Sequence, residues 1–405
     1  MIPRVVALLA LSNLLHNVYG ASIATAWYAS WHANRGFPLE SVPWSKYTQL
    51  TYAFAETTPD THTLSLTVNG DTGPGADLLK SFVSTAHQNS VKASVSIGGW
   101  TGSRWFSTAV GSSENRTIFV KTVTDLVTTF DLDGLDFDWE YPGAQGIGCN
   151  TVNQEDTNNF LLFLQELRQD PVGSKLILSA ATSTRPYEIT QQPLSAFAEV
   201  LSYIAIMNYD VWGPWSSQVG PNAPLDDTCV SSDKQAGSAV SAVKAWTAAG
   251  FPASKIVLGV AAYGHSFTVH PDDAFESDGK TLAPYPSFDA SSPPTGDSWD
   301  DPPGVDECGV QQNAGGVVNF WGLIEKGYLN QSGNPSPGIP YRFDTCSQTP
   351  YAYNLTTQIM VSFDDARSFA AKGEFIRANG LAGFSTWEAG GDSNNILLDS
   401  IRSSF

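Results

Sequence analysis

Charge is scarce in this 405-residue chain, and positive charge is scarcer still: Lys and Arg number 21 against 40 Asp and Glu, a net −19. A surface of that sign repels phosphate backbones and anionic headgroups, so no nucleic-acid or membrane partner is expected, and a neutral or cationic ligand is favoured. Only 15% of residues are charged while 42% are hydrophobic, too apolar a composition for a disordered chain. Cysteine is limited to four residues without a CxxC pair, which disfavours a metal site and leaves two disulfides. Past residue 20 no run reaches the ~18 apolar residues of a membrane span. Aromatic surface is what abounds: 12 Trp, 14 Tyr and 21 Phe are more than a core ordinarily needs, and flat rings stack on sugars or other flat ligands.

Residues 1–20 read as a signal peptide, with Arg4 as the basic start, Val5 to Leu15 as the apolar stretch and Val18-Tyr19-Gly20 before the cut. A secreted, extracellular protein is therefore expected. The sequons at Asn115, Asn330 and Asn354 fit a secretory route. For Cys149, Cys229, Cys308 and Cys346 three connectivities exist; local context favours Cys149 with Cys229 and Cys308 with Cys346.

Short β-rich runs alternate with amphipathic stretches, the pattern of parallel βα units. Strands are expected near Ile23 to Ser30, Gln49 to Ala55, Lys92 to Ile97, Gly134 to Asp138, Lys175 to Ala181, Tyr203 to Met207, Lys255 to Val260 and Gly383 to Trp387. Helical spacing marks Ala76 to His87, Ser113 to Thr129, Asp156 to Gln169, Gln235 to Ala249 and Asp364 to Asn379. Eight such pairs imply an α/β fold, a (β/α)8 TIM barrel. The last two strands start far apart, at Lys255 and Gly383, and the Pro-, Gly- and Asp-rich stretch between them is too long for a plain loop. It reads as a small α+β insertion between strands 7 and 8, residues 264–358, with the barrel formed by 21–263 and 359–405.

The segment Asp133-Gly134-Leu135-Asp136-Phe137-Asp138-Trp139-Glu140 carries the most chemistry. Strand alternation puts Asp136, Asp138 and Glu140 on one face and Leu135, Phe137 and Trp139 on the other, so a barrel turns the carboxylates inward. Carboxylates roughly 6.6 Å apart at an effective dielectric of ~20 repel by about 2.5 kcal/mol, enough to retain a proton near neutral pH. A retained proton is what an acid that cleaves glycosidic bonds requires. An exposed acidic edge strand is the bland alternative, and the alternating Leu, Phe and Trp oppose it. Three carboxylates also suit a divalent cation, but no His or Asn cluster accompanies them. Neither a metal nor another cofactor is expected.

That segment resembles the DGxDxDxE signature of the chitinases of glycoside hydrolase family 18, and it matches every fixed position. Ser96-Ile97-Gly98-Gly99-Trp100, Met207-Asn208-Tyr209-Asp210, Leu258-Gly259 with Tyr263-Gly264, and Gly383 to Trp387 are similar to further family blocks, in the same order. The likeness spans the mature chain, looks like a fungal-type secreted chitinase, and includes the family's insertion domain. It implies hydrolysis of chitin or chito-oligosaccharides with the substrate's own acetamido group as nucleophile. Glu140 would be the general acid/base, Asp138 would orient the acetamide, Asp136 would share its proton, and Tyr209 would bind the acetamido oxygen. It further implies that Trp387 floors the cleavage subsite and that Trp100 and Trp215 line the aglycon side. Met207, Asp210 and Tyr141 match other pocket positions, Gly99 a close approach of backbone, and Trp139 and Trp246 core packing. Two residues depart from the pattern: Trp27 replaces a common Tyr, and His265 a common Arg. A chitin-binding lectin that has lost the acid, and an endo-β-N-acetylglucosaminidase acting on N-glycans, are the rival functions. A monomer is expected.

Overall fold

The computed structural model describes residues 22–68, 75–188 and 191–405. The proposed signal peptide lies outside them.

Eight parallel strands close into a barrel: β1 (Ile23–Ala29), β2 (Gln49–Thr57), β3 (Lys92–Gly98), β4 (Gly134–Asp138), β5 (Ile177–Thr182), β6 (Tyr203–Ile206), β7 (Ile256–Ala261) and β8 (Gly383–Trp387). Each pairs with its neighbours, and β8 returns to β1 through Ile23↔Gly383 to Ala26↔Thr386. The (β/α)8 expectation therefore holds, with strand ends within a few residues of those read from the sequence.

Helices coat the outside because their apolar faces match the outward-facing strand residues. The helix Asp156–Gln169 buries Phe160, Leu161, Phe163, Leu164 and Leu167, and Phe137 on β4 meets Phe160 and Phe163 edge-on. Trp139 and Trp246 are buried in this shell, Trp139 stacked on Phe106 at 5.0 Å. Two helix starts are fixed by capping boxes. Ser238 and Ser241 form a capping box that begins the helix Ala239–Ala248, after the expected Gln235 start. Asp365 and Ser368 do the same for Ala366–Ala378.

Between β7 and β8 the chain builds a five-stranded antiparallel sheet whose strands lie in the order Val317–Asn319, Tyr263–Thr268, Ile359–Ser362, Thr349–Asn354, Tyr341–Asp344. Its first and last strands in the chain reach beyond 264–358 at both ends. A hairpin, Gly304–Val305 with Gln311–Gln312, projects from the same insertion.

The disulfide pairing differs from the one favoured by sequence proximity. Cys149 joins Cys308 and Cys229 joins Cys346, with Cα separations of 5.6 and 5.9 Å. The insertion does not close on itself. It folds back on the barrel, so each bond ties a barrel loop, after β4 or β6, to the insertion.

No helix among the described residues is long and apolar enough to cross a membrane.

Candidate active site

The parallel register sets the site's lower layer. Ser96 on β3 and Ser179 on β5 both lie opposite Asp136 on β4. Their hydroxyls donate to it: Ser96 to Oδ2 at 2.8 Å and Ser179 to Oδ1 at 2.6 Å. Trp27 Nε1 on β1 adds a third donor to Oδ2 at 3.0 Å. Asp136 is buried, and burial pushes its carboxyl up while the three donors pull it down.

Asp138, two residues on, is also buried, but its Oδ1 has no hydrogen-bond partner in the protein. Its carboxyl is held well above the usual carboxylate range, first by burial and then by the charges of Glu140 and Asp136. Burial, and not carboxylate repulsion, is thus the larger cause of the shift.

β4 ends at Asp138, so Glu140 belongs to the loop above it and not to the strand proper. Ser103 fixes this turn by accepting from Glu140 N–H and donating to Asp138 C=O, both at 2.9 Å. Asn150 Nδ2 donates to Glu140 C=O at 2.8 Å. Gly98 lets the backbones approach: a Cβ there would lie 2.2 Å from Asp138 C=O, and its φ of 107° suits only glycine. Burial raises Glu140 to about 7, opposed by a hydrogen bond to Tyr141 and assisted by the charge of Asp210. Near neutrality Glu140 thus holds a proton it can donate.

These groups open into a cleft of about 500 Å³ lined by Asp138, Glu140, Tyr141, Met207, Tyr209, Asp210, Trp100 and Trp387, among others. Burial and nearby anionic charge keep the hydroxyls of Tyr141 and Tyr209 protonated. Trp387 forms part of an aromatic floor, stacked on Phe54 at 5.7 Å and tilted against Trp27 and Trp31. Trp100 stands 51% exposed at the rim.

Besides Asp136, which lies in the layer below, two expected residues lie outside this lining. Gly99 sits beneath it, where a Cβ would strike the Phe54 ring at 2.7 Å. Trp215 is 64% exposed and stands edge-on to His265 at 5.2 Å. Conversely, Trp31, Phe54 and Ser179 were not singled out from the sequence. Ser179 was legible, since it is a lone polar residue between Leu178 and Ala180 on an inward-facing strand. Trp31 and Phe54 carry no such mark, because an aromatic near a barrel-strand end reads equally as core.

Among the described residues three non-proline peptide bonds are cis, Ala53–Phe54, Glu140–Tyr141 and Trp387–Glu388, each at or near the cleft end of a barrel strand. Among the described residues no three His, Cys, Asp or Glu side chains are grouped to hold a metal ion. Of the sequon asparagines, Asn330 is exposed in a turn, whereas Asn115 Nδ2 donates to Thr108 C=O at 2.8 Å.

A (β/α)8 barrel with a protonated glutamic acid above two buried aspartates, at the base of an aromatic cleft, defines a glycoside hydrolase. The family profile of the glycosyl hydrolases family 18 matches residues 24–392, and the chain belongs to that family. It is 54% identical over 388 residues to a chitinase-like effector of Moniliophthora roreri, covering 95% of this chain and 93% of that one. A chitinase-like effector of Moniliophthora perniciosa is 52% identical, with 94% and 86% covered. Among solved structures, a chitinase from Rhizomucor miehei superposes with a TM-score of 0.82 at 33% identity, covering 94% of this chain and 98% of that one.

Proposed function

We propose that this protein is a secreted chitinase that cleaves β-1,4-linked N-acetylglucosamine polymers with retention, using the substrate's acetamido group as nucleophile. The observation that carries the reading is Glu140, kept protonated to about pH 7 at the cleft surface directly above Asp138 and Asp136.

The steps follow from the residues. Glu140 gives its proton to the glycosidic oxygen as the bond to the anomeric carbon breaks. The acetamido carbonyl oxygen attacks that carbon, which closes an oxazolinium ring. Asp138 faces the acetamide N–H; its unpartnered Oδ1 is the acceptor that binds it and balances the positive charge. Tyr209, held protonated, donates to the acetamido oxygen. Water, activated by the Glu140 carboxylate, then opens the ring. Trp387 supports the sugar undergoing cleavage, while Trp100 and Trp215 carry residues on the leaving side. Tyr141, Asp210 and Met207 shape the pocket, and the Asn330 and Asn354 sequons accompany export.

The two Moniliophthora relatives are named chitinase-like effectors, and the second reading kept is a protein that binds chitin without cutting it. The presence of Glu140 favours cleavage. Incubation with chitin hexamer separates the two: shorter products support the first reading, and saturable binding without products supports the second.

A further inference from the structure

Both peptide groups of Glu140 are anchored by side chains: its N–H donates to the Ser103 hydroxyl at 2.9 Å, and its C=O accepts from Asn150 Nδ2 at 2.8 Å. A chain neighbour of each anchor is tied to the insertion. Arg104, after Ser103, donates from Nη1 to Glu307 C=O at 3.3 Å and places Nη2 3.4 Å from Glu307 Oε2. Cys149, before Asn150, is bonded to Cys308. Glu307 and Cys308 are adjacent in the turn of the hairpin Gly304–Val305 with Gln311–Gln312. The two anchoring segments are also joined to each other, because Thr151 donates both its N–H and its hydroxyl to Arg104 C=O at 2.8 Å.

The hairpin has no core of its own. Every residue from 304 to 312 is exposed or half-buried, Val305 and Val310 most plainly. Its turn is stiffened by the Asp306 carboxylate, which accepts from Cys308 N–H at 2.9 Å, Val310 N–H at 2.8 Å and Gln312 Nε2 at 2.7 Å. Apolar burial does not account for the hairpin; its two ties to the Glu140 turn do. The loop it holds has little slack. Gln145 brackets Asn150, accepting from its N–H at 2.9 Å and donating to its C=O at 3.0 Å. A Cβ on Gly146 would lie 2.1 Å from Glu140 C=O. Asn150 is 6% exposed, which shields its amide from water that would compete for the bond. We propose that Asn150 is a positioning residue for the acid, and that the hairpin, through Glu307 and Cys308, holds Asn150 and Ser103 on Glu140 so that its carboxyl meets the glycosidic oxygen. A misplacement of about 1 Å at such a group can cost about 10²-fold in rate. The catalytic consequence deepens the glycosidase reading and rests on it.

The leaving group provides the test. A sugar needs the proton of Glu140 to depart, whereas a dinitrophenolate leaves without it, so a misplaced acid slows one substrate and spares the other. For Asn150→Ala, kcat/KM on chitin hexamer is expected to fall about 10- to 100-fold, chiefly in kcat, and on the dinitrophenyl glycoside of chitin dimer by less than about threefold. Glu140→Gln gives the reference split. Cys149→Ser with Cys308→Ser is expected to show the same split, whereas Cys229→Ser with Cys346→Ser, which cuts the other tie, is expected to affect both substrates alike. Equal losses on the two substrates in Asn150→Ala, or no loss on either, overturn the proposal. Should the first cysteine variant fail to fold, Arg104→Ala cuts the hairpin's second tie with both disulfides intact; the same split is expected, and its absence overturns the hairpin's role. Amide exchange read by mass spectrometry needs no turnover. Residues 140–151 are expected to exchange at least about tenfold faster in Cys149→Ser with Cys308→Ser than in the native protein, and an unchanged rate also overturns the hairpin's role. A native protein that cleaved neither substrate would fail the glycosidase reading and leave the exchange result readable.

Discussion

Trp27 on β1 donates its indole N–H to Asp136 Oδ2 on β4 at 3.0 Å, joining opposite parts of the barrel through its centre. An indole can only donate. With the Ser96 and Ser179 hydroxyls it makes Asp136 a threefold acceptor, which favours the carboxylate at Asp136.

Trp27→Phe keeps the ring and removes that donor. A hydrogen bond to a charged group is worth about 1.5–3 kcal/mol, so kcat is expected to fall about 10- to 100-fold with KM little changed. Steady-state kinetics on chito-oligosaccharides check this; a proportionate rise in KM instead would place Trp27 in sugar binding.

The raised Glu140 carboxyl has a consequence for stability whose sign is fixed. In the folded protein Glu140 holds its proton to about 7, above the ordinary glutamate value of 4.5, so the folded state binds more protons than the unfolded one between those values. Its contribution to stability is greatest below the unfolded value and is lost as pH rises towards 7. Glu140→Gln removes the ionisation, so its Tm is expected to exceed the native Tm at pH 7.5 and to converge with it near pH 4. Calorimetry at the two pH values measures both.

For activity the same carboxyl acts as the acid, so kcat/KM is expected to fall as pH rises through about 7. A profile flat from pH 6 to 9 would contradict Glu140 as proton donor.

Both disulfides join barrel to insertion, and Cys149 follows Glu140 on the same loop. Cys149→Ser with Cys308→Ser is expected to cost about 2–5 kcal/mol of stability, read from denaturant unfolding. Non-reducing peptide mapping is expected to recover Cys149 with Cys308 and Cys229 with Cys346.

The aromatic residues divide by exposure. Trp100→Ala and Trp215→Ala remove exposed rings, the proposed sugar platforms, and are expected to raise KM several-fold while leaving Tm within a degree or two. Trp246→Ala empties a fully buried site and is expected to cost about 3–5 kcal/mol of stability. Oligosaccharide kinetics and thermal unfolding together check the division.

The barrel was legible because β4 alternates strictly, with Asp136 and Asp138 inward and Leu135 and Phe137 outward, and because the other strands stand at similar intervals. Glu140, Tyr209 and Trp387 were legible through family motifs. Trp31 and Phe54 were not, since their place under Trp387 depends on how β1, β2 and β8 meet in space. The Cys pairing was misread for a related reason: chain proximity is a poor guide when an insertion packs back on its host. Trp27 and His265 stood out in the sequence only as departures. Their side-chain partners, Asp136 and Asp210, lie far away in the chain.

The most direct test is a product time course from chitin hexamer with native protein and with Glu140→Gln, following the anomer first released. The account predicts shorter oligomers from the native protein, first as the β-anomer, and from the variant a rate lower by about 10²–10⁴ with binding retained. An α-anomer as first product, or equal rates for the two proteins, would contradict it.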